Sequence, residues 1–144
     1  MTFKECDEGW SGHYVDGVRK CFKDVGVHQL DQAASTCTSA GAKLLSPINT
    51  NEFRDLRRVI KALGKDSAAL DGSDSQTEGT WLTSTGDNVP FYEWQLNTHD
   101  PNHADEPNGV TAENCLEFGK DRLMNDMGCS HKITVVCEKP VNSG

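Results

Sequence analysis

The chain has 144 residues with 14 Lys+Arg against 22 Asp+Glu, a net charge of −8 and a mean hydropathy of −0.60. One hydrophobic core is within reach of that length, while the acidic balance excludes nucleic acid or an anionic membrane as the main partner, since both need a basic footprint. No run of about 18 apolar residues occurs, so no membrane-spanning helix is expected, and Met1 leads straight into charged residues, as in a mature secreted chain with an added Met or in a cytosolic protein.

In chain order, residues 3–25 carry Gly, Trp10, Tyr14 and Phe22 around Cys6 and Cys21, a pattern that predicts a short β-hairpin. Over residues 28–40, Leu30, Ala33, Ala34 and Cys37 recur at three and four residues and Gly41 supplies a stop, which predicts a helix. Leu44-Leu45-Ser46-Pro47 reads as a brief buried strand. Asn49 followed by Glu52 resembles a capping box, and Phe53, Leu56, Val59, Ile60 and Leu63 give the second helix one apolar face that Gly64 ends. From Asp66 to Glu113 no helical period persists; Gly, Asp, Asn, Ser, Thr and Pro dominate around short apolar patches at Trp81-Leu82 and Phe91–Trp94. Such a long irregular stretch points to functional loops. The chain closes with strand-like runs at 115–118 and 133–137. The expected fold class is α+β, one domain over residues 3–140, with Trp10, Tyr14, Trp81, Phe91, Tyr92 and Trp94 expected mainly in the core.

Six cysteines (Cys6, Cys21, Cys37, Cys115, Cys129, Cys137) show no CxxC pair, which weakens zinc and thioredoxin readings. An even number in a small, loop-rich acidic domain points to a disulfide-stapled secreted protein. Spacing alone leaves about 15 full pairings open.

Oxygen donors concentrate late in the chain: Asp105-Glu106-Pro107-Asn108, Glu113-Asn114 and Asn125-Asp126. Carboxylates and amides with little sulfur or imidazole suit a hard cation, and Ca²⁺ takes 6–8 oxygens. Proline between Glu106 and Asn108 stiffens that loop. His99 and His103 are four residues apart but Pro101 lies between them, and no Glu follows His99, so a metallohydrolase helix is not expected and the two read as surface histidines of the inserted loop. No Gly-x-Ser-x-Gly elbow is present. The chain reads as a binding protein, not an enzyme.

Taken together, Cys6-Asp-Glu-Gly-Trp10, Cys21-Phe22, Gly41-Ala-Lys-Leu-Leu45, Glu78-Gly-Thr-Trp81, Glu106-Pro-Asn108, Glu113-Asn-Cys115, Asn125-Asp126 and Cys137-Glu138 resemble the C-type lectin-like domain in its long form, from Cys6 to Glu138. That resemblance implies two helices flanking small antiparallel sheets, a long calcium-binding loop region and disulfides Cys6–Cys21, Cys37–Cys137 and Cys115–Cys129. It implies a Ca²⁺ ion held by Glu106, Asn108, Glu113, Asn125 and Asp126, with Glu106, Asn108, Glu113 and Asn125 also meeting the sugar. A weaker auxiliary calcium site is implied at Asp74, Glu78 and Asn114, because Asn114 and Gly109 stand where acidic residues are usual. Glu-Pro-Asn is similar to the pattern of binders of mannose, glucose, N-acetylglucosamine or fucose; galactose, an extended glycan or a protein partner are the alternatives. The inserted 95–105 segment would lie beside the calcium. The usual core run before the long loop is the lighter Ala68-Ala69-Leu70-Asp71, and Met124 replaces a tryptophan, a change that bears on packing. The expected partner is carbohydrate on cell surfaces or glycoproteins, outside the cell, without membrane insertion; with all six cysteines used, any homo-oligomer is non-covalent.

Overall fold

A computed structural model describes residues 5–74, 80–90, 115–119 and 124–142. The first hairpin joins β1 (Ser11–Val15) to β2 (Val18–Gln29) through Asp16 and Gly17, both at positive φ (48° and 77°). A two-residue loop of that kind matches the twist of the strands it joins. Asp16 is also an anchor. Its backbone N–H donates to Asp55 Oδ2 at 2.7 Å, and its carboxylate accepts from Asn49 Nδ2 at 3.2 Å and Asn51 Nδ2 at 3.3 Å.

β2 is longer than the sequence pattern predicts. Its residues Val27–Gln29 pair with Lys132–Thr134 at the start of β7 (Lys132–Pro140), so α1 (Leu30–Ser39) begins two residues later than the predicted 28. No side chain caps α1; the N–H groups of Leu30 and Asp31 donate instead to the carbonyls of His131 and Cys129, both at 3.0 Å. Those partners are about a hundred residues away in the chain, which is why residue pattern alone misplaces the start. β3 (Lys43–Leu44) completes a four-stranded sheet in the order β1-β2-β7-β3.

α2 (Thr50–Ala62) follows the sequence closely. Asn49 Oδ1 accepts from the Glu52 N–H at 2.8 Å, and Glu52 reaches back to the Ile48 N–H at 3.0 Å. Phe53, Leu56, Val59 and Ile60 are buried. The Phe53 ring stacks on Phe118, centroids 4.5 Å apart, and so ties α2 to the second sheet.

That sheet has three antiparallel strands in the order β4 (Ala68–Ser73), β5 (Cys115–Phe118) and β6 (Met124–Met127). The light run at 68–70 is fully used: Ala68, Ala69 and Leu70 are all buried. The register slips between Ala69 and Ser73, and at Gly72 a Cβ would come within 2.3 Å of Leu116 Cδ1. Small residues in β4 thus let the backbone pass close beneath Leu116. Trp81, Leu116, Phe118 and Met124 meet the residues of α2 in one cluster, with Met124 in the core 1 % exposed.

Tyr14 departs from expectation. It is 65 % exposed, its ring covered by the Arg19 guanidinium at 5.0 Å across the hairpin instead of by core residues. Phe91, Tyr92 and Trp94 lie outside the described residues.

Three disulfides, Cys6–Cys21, Cys37–Cys137 and Cys115–Cys129, close the fold and use every cysteine. Among the described residues no helix is long and apolar enough to cross a membrane.

Candidate functional site

β5 and β6 carry the described part of the site. Their register places Glu117 opposite Asn125 and Leu116 opposite Asp126, and the Cys115–Cys129 disulfide ties the start of β5 to the turn after β6. Residues facing each other across an antiparallel pair have Cβ atoms close enough to touch. Asn125 Nδ2 accordingly donates to Glu117 Oε1 at 3.2 Å. Once the amide nitrogen is committed to that bond, the amide oxygen points the other way; Asn125 Oδ1 is buried and has no hydrogen-bond partner among the described residues. A buried amide oxygen left unsatisfied is costly unless something electropositive meets it.

Glu117 was not identified from the sequence as a site residue, although a carboxylate in the otherwise apolar run Cys-Leu-Glu-Phe is an oddity that needs a partner. It is 7 % exposed, and burial pushes its carboxyl pKa up, an effect partly offset by the Asn125 hydrogen bond and by His131, whose Nε2 lies 3.9 Å from Glu117 Oε2. Asp126, on the next residue of β6, is 1 % exposed, and Asp74, just past the end of β4, is 3 % exposed. The three-stranded sheet and the residue that follows β4 therefore carry three buried acids, among the few polar side chains buried in the described residues.

Of the residues singled out in the sequence, Asn125 and Asp126 sit side by side in β6, and Asp74 follows Ser73, which pairs with Cys115. Glu106, Asn108, Glu113, Glu78 and Asn114 lie outside the described residues, as do His99, His103 and the 95–105 segment. Among the described residues no group of three or more His, Cys, Asp or Glu side chains is placed to hold a metal ion. The donors that are described nonetheless suit a hard cation in type: a buried amide oxygen without a hydrogen-bond partner among the described residues, and a buried carboxylate on the next residue of the chain, without sulfur.

The family model of the lectin C-type domain matches residues 27–139. Pulmonary surfactant-associated protein D of Sus scrofa is 32% identical over 120 residues, covering 83% of this chain and 30% of that protein, so the chain spans about a third of the length of that relative. Among solved structures, the carbohydrate-recognition domain of the mouse scavenger receptor C-type lectin superposes with a TM-score of 0.72 at 19% identity, covering 96% of this chain and 99% of that one. A calcium-independent type II antifreeze protein does so with a TM-score of 0.71 at 21% identity, covering 95% of each chain. At such identities these two structures speak for the fold.

Proposed function

The chain belongs to the C-type lectin domain family, and from that premise we propose that it is a secreted, non-catalytic lectin that binds mannose-type sugars through a calcium ion. The recognition domain spans residues 3–140. Glu106, Asn108, Glu113, Asn125 and Asp126 hold the ion, and Asp74, Glu78 and Asn114 form a weaker auxiliary site. The observation that carries this reading is Asn125, whose nitrogen is tied to Glu117 while its buried oxygen lacks a hydrogen-bond partner among the described residues. Three carboxylates and two amides give an anionic, oxygen-only donor set. When bound, Ca²⁺ would accept two vicinal hydroxyls of a sugar into its coordination shell. The side chains do the discriminating: carboxylates of Glu106 and Glu113 accept from sugar hydroxyls, and the amides of Asn108 and Asn125 donate to them through N–H groups. Asn125 has a second N–H besides the one held by Glu117, so both tasks are compatible.

Three disulfides support an extracellular setting. A lone site of this kind binds monosaccharide at about millimolar Kd, roughly 4 kcal/mol, and gains avidity only by presenting several copies. The test is calorimetric titration of calcium, and then of mannose in millimolar Ca²⁺, on the wild-type chain and on Asn125→Ala and Asn108→Asp. Wild-type binding that Asn125→Ala abolishes, with Asn108→Asp keeping the fold but shifting or losing sugar affinity, is expected. Equal calcium affinity in the wild type and Asn125→Ala refutes the site assignment.

A further inference from the structure

Five of the chain's 14 basic residues fall within residues 54–65: Arg54, Arg57, Arg58, Lys61 and Lys65. Only one acid, Asp55, interrupts them, in a chain whose net charge is −8. Four of the five, Arg54, Arg57, Arg58 and Lys61, stand on α2 at spacings of three and four residues, where like charges face each other and weaken the helix. Cations near a helix C-terminus complement its carbonyls, but only Lys61 lies in the last turn.

The internal pairing is thin. Arg58 meets Asp55 at 3.2 Å on an exposed surface, and Lys65 meets Asp24 at 3.9 Å. Neither Arg57 nor Lys61 has an ion pair among the described residues, although Arg57 is half-buried. Two cations without a carboxylate partner among the described residues, set beside two more, attract an anion. Arg57, Arg58, Lys61 and Lys65 line a cavity of about 180 Å³ beside Ile60, with Asp66 as the one acid at its wall among the described residues.

From this we infer that the C-terminal half of α2 is a second, calcium-independent site for a tetrahedral oxyanion ester, sulfate or phosphate, carried by a carbohydrate. Guanidinium forks match the paired oxygens of such a group, and two ammonium groups add charge without demanding one geometry. A long nucleic acid is disfavoured, because beyond this patch it meets an acidic surface. The site shares no side chain with Glu106, Asn108, Glu113, Asn125 and Asp126 and does not depend on the reading given to them.

The experiment uses the full chain in EDTA at low salt. Calorimetry measures a heparin-derived octasaccharide as the sulfated probe, inositol hexakisphosphate as the phosphorylated probe, and a short DNA duplex, each against the wild type, Arg57→Ser/Lys61→Glu and the single variant Lys61→Glu. The wild type binds at least one of the first two, and the double variant weakens that binding by about tenfold or more with an unchanged circular dichroism spectrum. Binding of the sulfated probe alone identifies a sulfate ester, and of the phosphorylated probe alone a phosphate ester. Lys61→Glu changes one exposed side chain, so its weaker binding reads the site even where the double variant folds poorly. No binding of either probe, equal binding by the variants, or tighter binding of the duplex overturns the inference.

Discussion

Gly72→Ala places a methyl group where the structure has no room. Its Cβ would lie 2.3 Å from Leu116 Cδ1, 2.9 Å from Leu116 Cγ and 3.1 Å from Val89 Cγ2. Ordinary carbon contacts lie near 3.5–4.0 Å, so Leu116 would have to move by more than about 1 Å. Retreat is blocked because Leu116 is fully buried, and its Cγ, not only a terminal methyl, is in the way. Overpacking of this kind costs about 1–3 kcal/mol. At roughly 3 °C per kcal/mol for a domain of this size, the thermal midpoint should fall by about 3–9 °C. Leu116 faces Asp126 across β5 and β6, so the displacement also reaches the β6 donors and should weaken calcium binding. The assay is a thermal melt of Gly72→Ala, Leu116→Ala and the double variant, each with and without Ca²⁺. Leu116→Ala alone leaves a cavity and costs about 2–5 kcal/mol, but it makes room for the new methyl, so the double variant should be more stable than the sum of the singles implies. An unchanged midpoint for Gly72→Ala, or strict additivity, would refute the packing argument.

Glu117→Leu should weaken calcium affinity by about tenfold, whereas Glu117→Gln, whose amide oxygen can still accept from Asn125 Nδ2, should stay close to the wild type; calorimetry that finds the leucine variant equal to the wild type contradicts the orienting role. Glu138 is 4 % exposed between Lys20 at 3.6 Å and Lys43 at 3.8 Å, and burial raises its carboxyl pKa despite those ammonium groups. The folded state then holds this proton more tightly than the unfolded state, so the stability Glu138 contributes is full below its ordinary value of 4.5 and is lost as pH rises through the raised folded value. Urea midpoints of Glu138→Gln relative to wild type should therefore rise from acid toward neutral pH, and a constant difference would contradict the assignment. Replacing the Cys37–Cys137 disulfide, which joins residues 100 apart, with two alanines should cost about 4–5 kcal/mol in urea unfolding, and a loss below about 1 kcal/mol would contradict the argument from the entropy of the unfolded chain.

Where local chemistry decided the structure, residue pattern was enough. α2 is an example: Asn49 and Glu52 mark its start, and Phe53, Leu56, Val59 and Ile60 line its buried face. Where long-range pairing decided it, pattern fell short. The N-terminus of α1 is completed by the carbonyls of Cys129 and His131, and the length of β2 by its partner β7. β6 escaped notice as a strand because its fully buried positions are Met124 and Asp126, so the alternation puts a carboxylate where an apolar residue is expected. The same inversion marks Asn125 and Asp126 in the sequence as candidate oxygen donors, even though the strand that carries them does not show there. Glu117 was the converse, visible as a strand residue and silent as a functional one until the register set it opposite Asn125. The disulfide pairing lay beyond spacing arithmetic, and the resemblance to a known domain was what chose among the alternatives.

Retention on mannose-agarose and on galactose-agarose, each in millimolar Ca²⁺ and then in EDTA, tests the central claim most directly. The account predicts retention on mannose that EDTA releases, with weaker or no retention on galactose. Retention on galactose alone would keep the calcium mechanism and overturn the mannose-type assignment. Passage through both columns unretained, or retention that EDTA leaves intact, would contradict calcium-dependent recognition of simple sugars by this chain.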